Sequence, residues 1–434
     1  MPDRTKAPEL RKLERFRLPE PSTLLLEGGV PLVYLNQCTQ EVIRLDLLFA
    51  QGYYHEPRLM LSPFTLAMTR RGGTASHTED EIASMLDFMG ASIECAVYTD
   101  RTVMTVYVLT RFLDEVLPML LEMLTEPVFS QESLEQYRSE RLQAFLVSEK
   151  RTTVQAANHF RRLLFSARHP AGRQIRQKDY ETVTRQMIVD YFRKNFQIPH
   201  GAALMGVYAF GCVRQRELDI IRRHLGVLRA PSKARMRALD ETILSHRVLP
   251  LGQESCRIRL PGSSQMSMRM GSQMVRRDHP DYNDLRFLVA VLGGSFSSRL
   301  MRSVREQKGY TYSIGAELTT YPDASLLTIG CDFDSRFLRP LKAEILHQMD
   351  MLCQEPVPQD ELEMQRVYQI GSLCRECDSA FSIADMYLFM DGCRMGRDCY
   401  DKRVGDMLSV TSQRLLDLAR TYFGKENLKV VLAG

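Results

Sequence analysis

Glu-His occurs nowhere in this 434-residue chain. His-Glu occurs once, at His55-Glu56, with Leu59 four residues beyond the histidine. Both H-x-x-E-H and H-E-x-x-H are therefore missing. Those patterns place two imidazoles on one helix face for zinc, and a carboxylate that takes a proton from metal-bound water. The nine histidines are scattered, and the closest pair, His159 and His169, lies ten apart; each reads as a surface or packing residue. The G-x-S-x-G elbow of a serine hydrolase is absent as well. No apolar run reaches the roughly 18 residues of a spanning helix, so no membrane segment is expected. The opening MPDRTKAPELRKLERF lacks the apolar stretch of a secretory signal, and Asp3, Glu9 and Glu14 are foreign to a transit peptide. The expected compartment is the cytoplasm.

Charge of either sign is not in excess. Lysine and arginine number 57 against 53 acids, for a net charge of +4. No basic stripe is concentrated enough for a nucleic-acid face, and pairs such as Arg70-Arg71 and Arg222-Arg223 read as solvated surface. Ten cysteines in a cytoplasmic chain are expected to be reduced thiols. Cys374, Cys377, Cys393 and Cys399 lie close in sequence, and the first pair has a spacing used by zinc sites. Their helix-like setting favours buried or half-buried thiols over a metal site.

What the chain does have is a duplication. Tyr98-Thr-Asp-Arg-Thr-Val-Met-Thr-Val is echoed by Tyr321-Pro-Asp-Ala-Ser-Leu-Leu-Thr-Ile, Arg111-Phe-Leu by Arg336-Phe-Leu, and Glu126-Pro-Val by Glu355-Pro-Val. The segment Val183 to Phe196 is echoed by Val410 to Phe423. Four echoes in one order, at nearly constant offset, indicate two homologous domains. The expected division is 1–228, a polar linker at 229–253 and 254–434.

Each half carries the same patterns. Ile43, Leu45, Leu47 and Phe49 alternate with Arg44 and Asp46 as on a half-buried strand, and Met266, Met268 and Met270 do so with Ser267 and Arg269. Phe112 to Leu124 and Phe337 to Leu352 carry apolar helical stripes, which are core faces. Thr78-x-x-Glu81 predicts a capping box, with Gly90 placed to end its helix. The fold class expected is α+β: two homologous domains, each a largely antiparallel sheet with helices packed on one face.

The stretch GGSFSSRLMRSVREQKGYTYSIGAELTTYPDASLLTIG, Gly293 to Gly330, together with the repeat, resembles the pitrilysin/insulinase superfamily of zinc peptidases. It is most similar to the two-domain branch that includes the mitochondrial processing peptidase subunits. The resemblance implies a zinc motif on the first long helix of the N-terminal domain and an arginine and tyrosine seven residues apart in the C-terminal domain. The latter fall on Arg305 and Tyr312. The motif falls on Phe64-Thr-Leu-Ala-Met68, so its histidine positions are Phe64 and Met68 and its glutamate position is Ala67. A further glutamate expected about 75 residues on has only Glu140 near it.

The resemblance therefore implies a non-catalytic subunit. It would hold no metal or other cofactor and would supply Arg305 and Tyr312, and half of a chamber, to a zinc-binding H-x-x-E-H partner that cleaves unfolded peptides. A guanidinium and a phenol suit the oxyanion that forms on a peptide carbonyl. Gly309 could end the helix in a left-handed turn that brings Tyr312 back beside Arg305. The alternatives are an Arg305 that only pairs with Glu306 or another acid while Tyr310 and Tyr312 pack, and a non-enzymatic subunit or homodimer on the same fold.

Overall fold

The computed structural model describes residues 16–199, 202–246, 248 and 252–434. The reading of the first fifteen residues lies outside these, as does part of the expected linker. Two sheets organise the chain. The first contains β1 (Ser22–Leu25), β2 (Pro31–Asn36), β3 (Val42–Phe49), β4 (Ser92–Val97), β5 (Thr102–Leu109) and β6 (Leu204–Gly211), in the order β1-β2-β6-β3-β5-β4. The second contains β7 (Ser255–Ile258), β8 (Met266–Met274), β9 (Thr311–Thr320), β10 (Ser325–Phe333) and β11 (Lys429–Ala433), in the order β7-β11-β8-β10-β9. Five strands correspond one to one. In each sheet one pair is parallel, β2 with β6 and β7 with β11, and the other pairs are antiparallel. The fold is α+β.

The echoes seen in the sequence fall on equivalent joints. Arg111-Phe112 and Arg336-Phe337 sit in short 3-10 turns that lead into the helices Leu113–Thr125 and Leu338–Gln354. Thr184 and Thr411 are N-caps whose hydroxyls accept from the amides of Met187 and Arg414. The Thr78 hydroxyl accepts from the Glu81 amide, Glu81 accepts from the Thr78 amide, and Gly90 ends that helix at φ +59°.

Each half packs its own helices on one face of its own sheet. Ile43, Leu45, Leu47 and Phe49 meet the helix Leu113–Thr125 in one core, and Met266, Met268 and Met270 meet Leu338–Gln354 in the other. The second face of each sheet is closed by a helix from the opposite half. Phe160 and Leu164, on the helix Thr152–Phe165, pack with Leu326 and Val431 of the second sheet. Ile383 and Tyr387, on the helix Ala380–Gly392, pack with Leu48, Val103 and Phe210 of the first.

This exchange corrects the half-buried reading of β3. Arg44 and Asp46 are 5% and 0% exposed, because the helix Ala380–Gly392 covers them. Arg44 is 2.9 Å from Asp46 and 2.6 Å from Asp385, and it donates to the Phe381 carbonyl. The expected linker also carries a helix, Lys233–Ser245, capped by Ser232. It is tied to the first half where His55 Nε2 meets the Leu239 carbonyl, and to the second by the Arg394–Asp240 ion pair. Its Ala, Arg, Met and Leu residues are strong helix formers; they outweigh the shortage of large apolar side chains that marked the stretch as a linker.

Candidate functional site

Phe64, Ala67 and Met68 lie on the helix Leu61–Arg71. Phe64 and Met68 are fully buried and Ala67 is half-buried. The Phe64 ring packs edge-on against Tyr137, with centroids 5.1 Å apart, and against Tyr180 at 6.3 Å. Tyr137 and Glu140 belong to the helix Gln131–Glu149. Glu140 accepts from both terminal nitrogens of Arg71, at 2.7 and 3.1 Å, and this pairing holds its carboxyl below the usual range. The place where two imidazoles and a carboxylate would gather is thus an aromatic core beside a closed ion pair. The residues present do not fit a zinc ion, and no hydrolytic step can be routed through them.

Among the described residues, the one group of three or more potential ligands that converge is Cys38, Glu41 and Cys212. Cys38 and Cys212 are joined in a disulfide, which removes both thiolates. It also corrects the expectation that all ten cysteines are free. The four C-terminal cysteines do not converge. Cys374 is exposed, Cys377 faces the Leu373 carbonyl and Met386, and Cys393 meets Arg101. Burial pushes the thiols of Cys377 and Cys399 up to about 11, away from the thiolate a metal needs.

Arg305 lies in Met301–Gln307, a π-helical segment. Gly309 follows at φ +63°, a left-handed turn that glycine adopts without strain, and β9 begins two residues later. Glu344, from the helix Leu338–Gln354, holds this segment from two points by accepting from Ser303 Oγ and Lys308 Nζ. Burial alone would raise the Glu344 carboxyl. These donors and Gln348 outweigh it and hold the group down at about 2.

Arg305 and Tyr312 both remain available to solvent. Arg305 is half-buried with its guanidinium carbon 4.5 Å from the centre of the Phe296 ring, and it makes no ion pair among the described residues. Tyr312 is 91% exposed on β9, the edge strand of the second sheet. Tyr310 instead packs against Phe337 at 5.2 Å, so the two tyrosines part company. Close approach of the Gly293–Gly294 turn to β9 fixes this corner, since a Cβ on Gly293 would lie 2.4 Å from the Ala316 amide. The arginine and the tyrosine were singled out from the sequence. Phe296, Glu344 and the π geometry were not, since they depend on long-range packing.

Comparison with known proteins bears on these positions. The profile of Insulinase (Peptidase family M16) matches residues 64–184, starting at Phe64, and that of Peptidase M16 inactive domain matches 182–366. Together they span both halves. The chain belongs to peptidase family M16. This M16 chain is 23% identical over 413 residues to the uncharacterized zinc protease YmxG of Bacillus subtilis, covering 92% of this chain and 95% of that one. An uncharacterized zinc protease of Rickettsia bellii is 32% identical over 81 residues, 19% of each chain.

Among solved structures, a peptidase M16 inactive domain from Pseudomonas fluorescens superposes with a TM-score of 0.81 at 18% identity, covering 95% of this chain and 98% of that one. A protease from Helicobacter pylori gives 0.81 at 16%, covering 96% and 100%. A chain of Complex III2 from Candida albicans gives 0.72 at 11%, covering 95% of each. Within the family this is a non-catalytic member: hydrocarbon and a closed aromatic core stand at the metal-binding positions. Among the described residues no helix is long and apolar enough to cross a membrane.

Proposed function

We propose that this M16 chain is the non-catalytic half of a two-chain zinc peptidase. It lends Arg305 and Tyr312, and one wall of a substrate chamber, to a partner of similar length that carries H-x-x-E-H. The partner holds the zinc and this chain holds none. Unfolded peptide is the substrate, bound as an added strand on a sheet edge of the partner. The observation that carries the reading is the contrast between the two sites. The metal positions are closed by Phe64 and Tyr137, while Tyr312 stands exposed on an edge strand and Arg305 has no carboxylate partner among the described residues. A guanidinium left unneutralised and an exposed phenol seven residues on suit an oxyanion brought by another chain.

The test is a fluorogenic peptide assay on this chain alone, on an H-x-x-E-H partner alone and on the two together. Activity is expected only from the mixture. Arg305→Ala is expected to lower kcat by about 10²–10³-fold, the loss typical of one oxyanion donor. Full activity from the Arg305→Ala mixture, or chelator-sensitive cleavage by this chain alone, would refute the proposal.

A second reading keeps the fold and drops the chemistry, with the chain serving as a structural subunit or homodimer. The resemblance to a Complex III2 chain supports it. Recovery of a stable native complex that contains no peptidase would favour that reading.

A further inference from the structure

A cleft of about 1030 Å³ opens between the two halves, walled by Ala50, His55, Asp100 and Met205 of the first half, the helix Lys233–Ser245 and the second half. Its volume is at the upper end for small-molecule sites. The charges in its wall are unevenly spent. Asp240 pairs with Arg394, Asp278 with Arg276 and Asp398 with Lys402. Asp100 is taken by Arg101, and Asp406 accepts from Asn283.

Three arginines of the same wall, Arg277, Arg286 and Arg403, have no ion pair among the described residues. Arg277 Nη1 and Arg403 Nε are moreover buried nitrogens without a hydrogen-bond partner. An unmet buried N–H is costly, and more so when it belongs to a charged group. Burial, with the like charge of Arg286 next, pushes Arg403 down to about 10, and Glu376 opposes this only through space. Phe389 lies under Arg277, with the guanidinium carbon 5.8 Å from its ring centre, and Leu239 and Ile243 add apolar wall.

We propose that this cleft binds a small organic oxyanion, a phosphate- or carboxylate-bearing molecule, whose charged end is taken by Arg277, Arg286 and Arg403 and whose body lies against Phe389 and the Lys233–Ser245 helix. Bidentate guanidinium contacts to such an anion would satisfy the two orphaned N–H groups at once. The same anion would offset the repulsion between Arg286 and Arg403. The ligand would thus link the second half to the connecting helix Lys233–Ser245. The inference is independent of the role given to Arg305 and Tyr312.

The experiment uses the full chain with pyrophosphate and with citrate as probes, read by thermal unfolding and titration calorimetry. Sodium chloride keeps the ionic strength constant, so that screening alone does not register. At least one probe is expected to raise the unfolding midpoint of the wild type. Arg403→Gln is expected to bind that probe at least about tenfold more weakly and, without probe, to be as stable as the wild type or more so. Arg286→Gln, an exposed position, is expected to weaken binding in the same direction, and it decides the matter alone if Arg403→Gln does not fold. Arg339→Gln, an exposed site on another helix, is expected to change nothing. Tighter response to pyrophosphate assigns a phosphate ligand, and to citrate a carboxylate ligand. No response of the wild type to either probe overturns the proposal. So does undiminished binding in the Arg286 and Arg403 variants, or an equal loss in the Arg339 control.

Discussion

Phe64 and Tyr137 meet edge to face with ring centroids 5.1 Å apart, joining the helix Leu61–Arg71 to the helix Gln131–Glu149 by hydrocarbon at the positions where the family resemblance would place metal ligands. Phe64→Ala is therefore expected to cost about 3–5 kcal/mol, as a buried phenylalanine does when it leaves a cavity. Denaturant unfolding measures it. Chelator treatment is expected to leave the thermal midpoint unchanged, because nothing at this site depends on an ion.

Tyr312 is 91% exposed, so its removal should leave the fold alone. Tyr312→Ala is expected to change stability by no more than about 0.5 kcal/mol while lowering the activity of the two-chain mixture. Paired stability and kinetic measurements separate the two effects. A loss of activity that followed a loss of stability would contradict the assignment.

Glu344 secures the Arg305 segment through Ser303 and Lys308, with its carboxyl at about 2 against an ordinary 4.5. A depressed carboxyl stabilises the fold fully above 4.5 and progressively less as the pH falls toward 2. Glu344→Gln is expected to lower stability by about 1–3 kcal/mol at neutral pH. The gap to wild type should narrow as the solution is acidified through that window. Urea unfolding across the window checks the sign, since a gap that widened in acid would be the wrong one.

Arg44 bridges Asp46 and Asp385, and it ties β3 to a helix of the opposite half. Arg44→Met strands a buried Asp46 and is expected to cost about 3–5 kcal/mol. Adding Asp46→Leu should recover much of that loss, because two apolar side chains replace one uncompensated charge. Asp385→Asn should cost less than Arg44→Met, since its carboxylate is 67% exposed. A double-mutant cycle resolves the coupling.

A peptide map of unreduced protein is expected to show Cys38 linked to Cys212 and the other eight cysteines alkylated. Alkylation of all ten would return the chain to the fully reduced state that its composition suggests.

The duplication was legible because its signals are local. Arg111-Phe112 and Arg336-Phe337 mark matching turns, Thr184 and Thr411 matching caps, and such positions are dictated by backbone geometry within a few residues. The absence of H-x-x-E-H and H-E-x-x-H was legible as well, since both are read directly from residue type and spacing. The environment of Arg44 and Asp46 was not. Alternation on β3 reports two faces, but whether the second face meets water depends on Ala380–Gly392, more than 330 residues away, and no local pattern encodes it. The same holds for the unpaired arginines of the interdomain cleft. They lie on separate elements of the second half, Arg277 in the turn after β8, Arg286 on the helix Tyr282–Gly293 and Arg403 on the helix Cys399–Ser409, and only the packing of those elements sets them around one space. The sequence by itself determined the two α+β halves and the loss of metal ligands, because these follow from residue type and spacing. The tertiary structure alone decided which charges are buried and which side chains face a shared cleft, because burial is a property of surfaces brought together from distant parts of the chain.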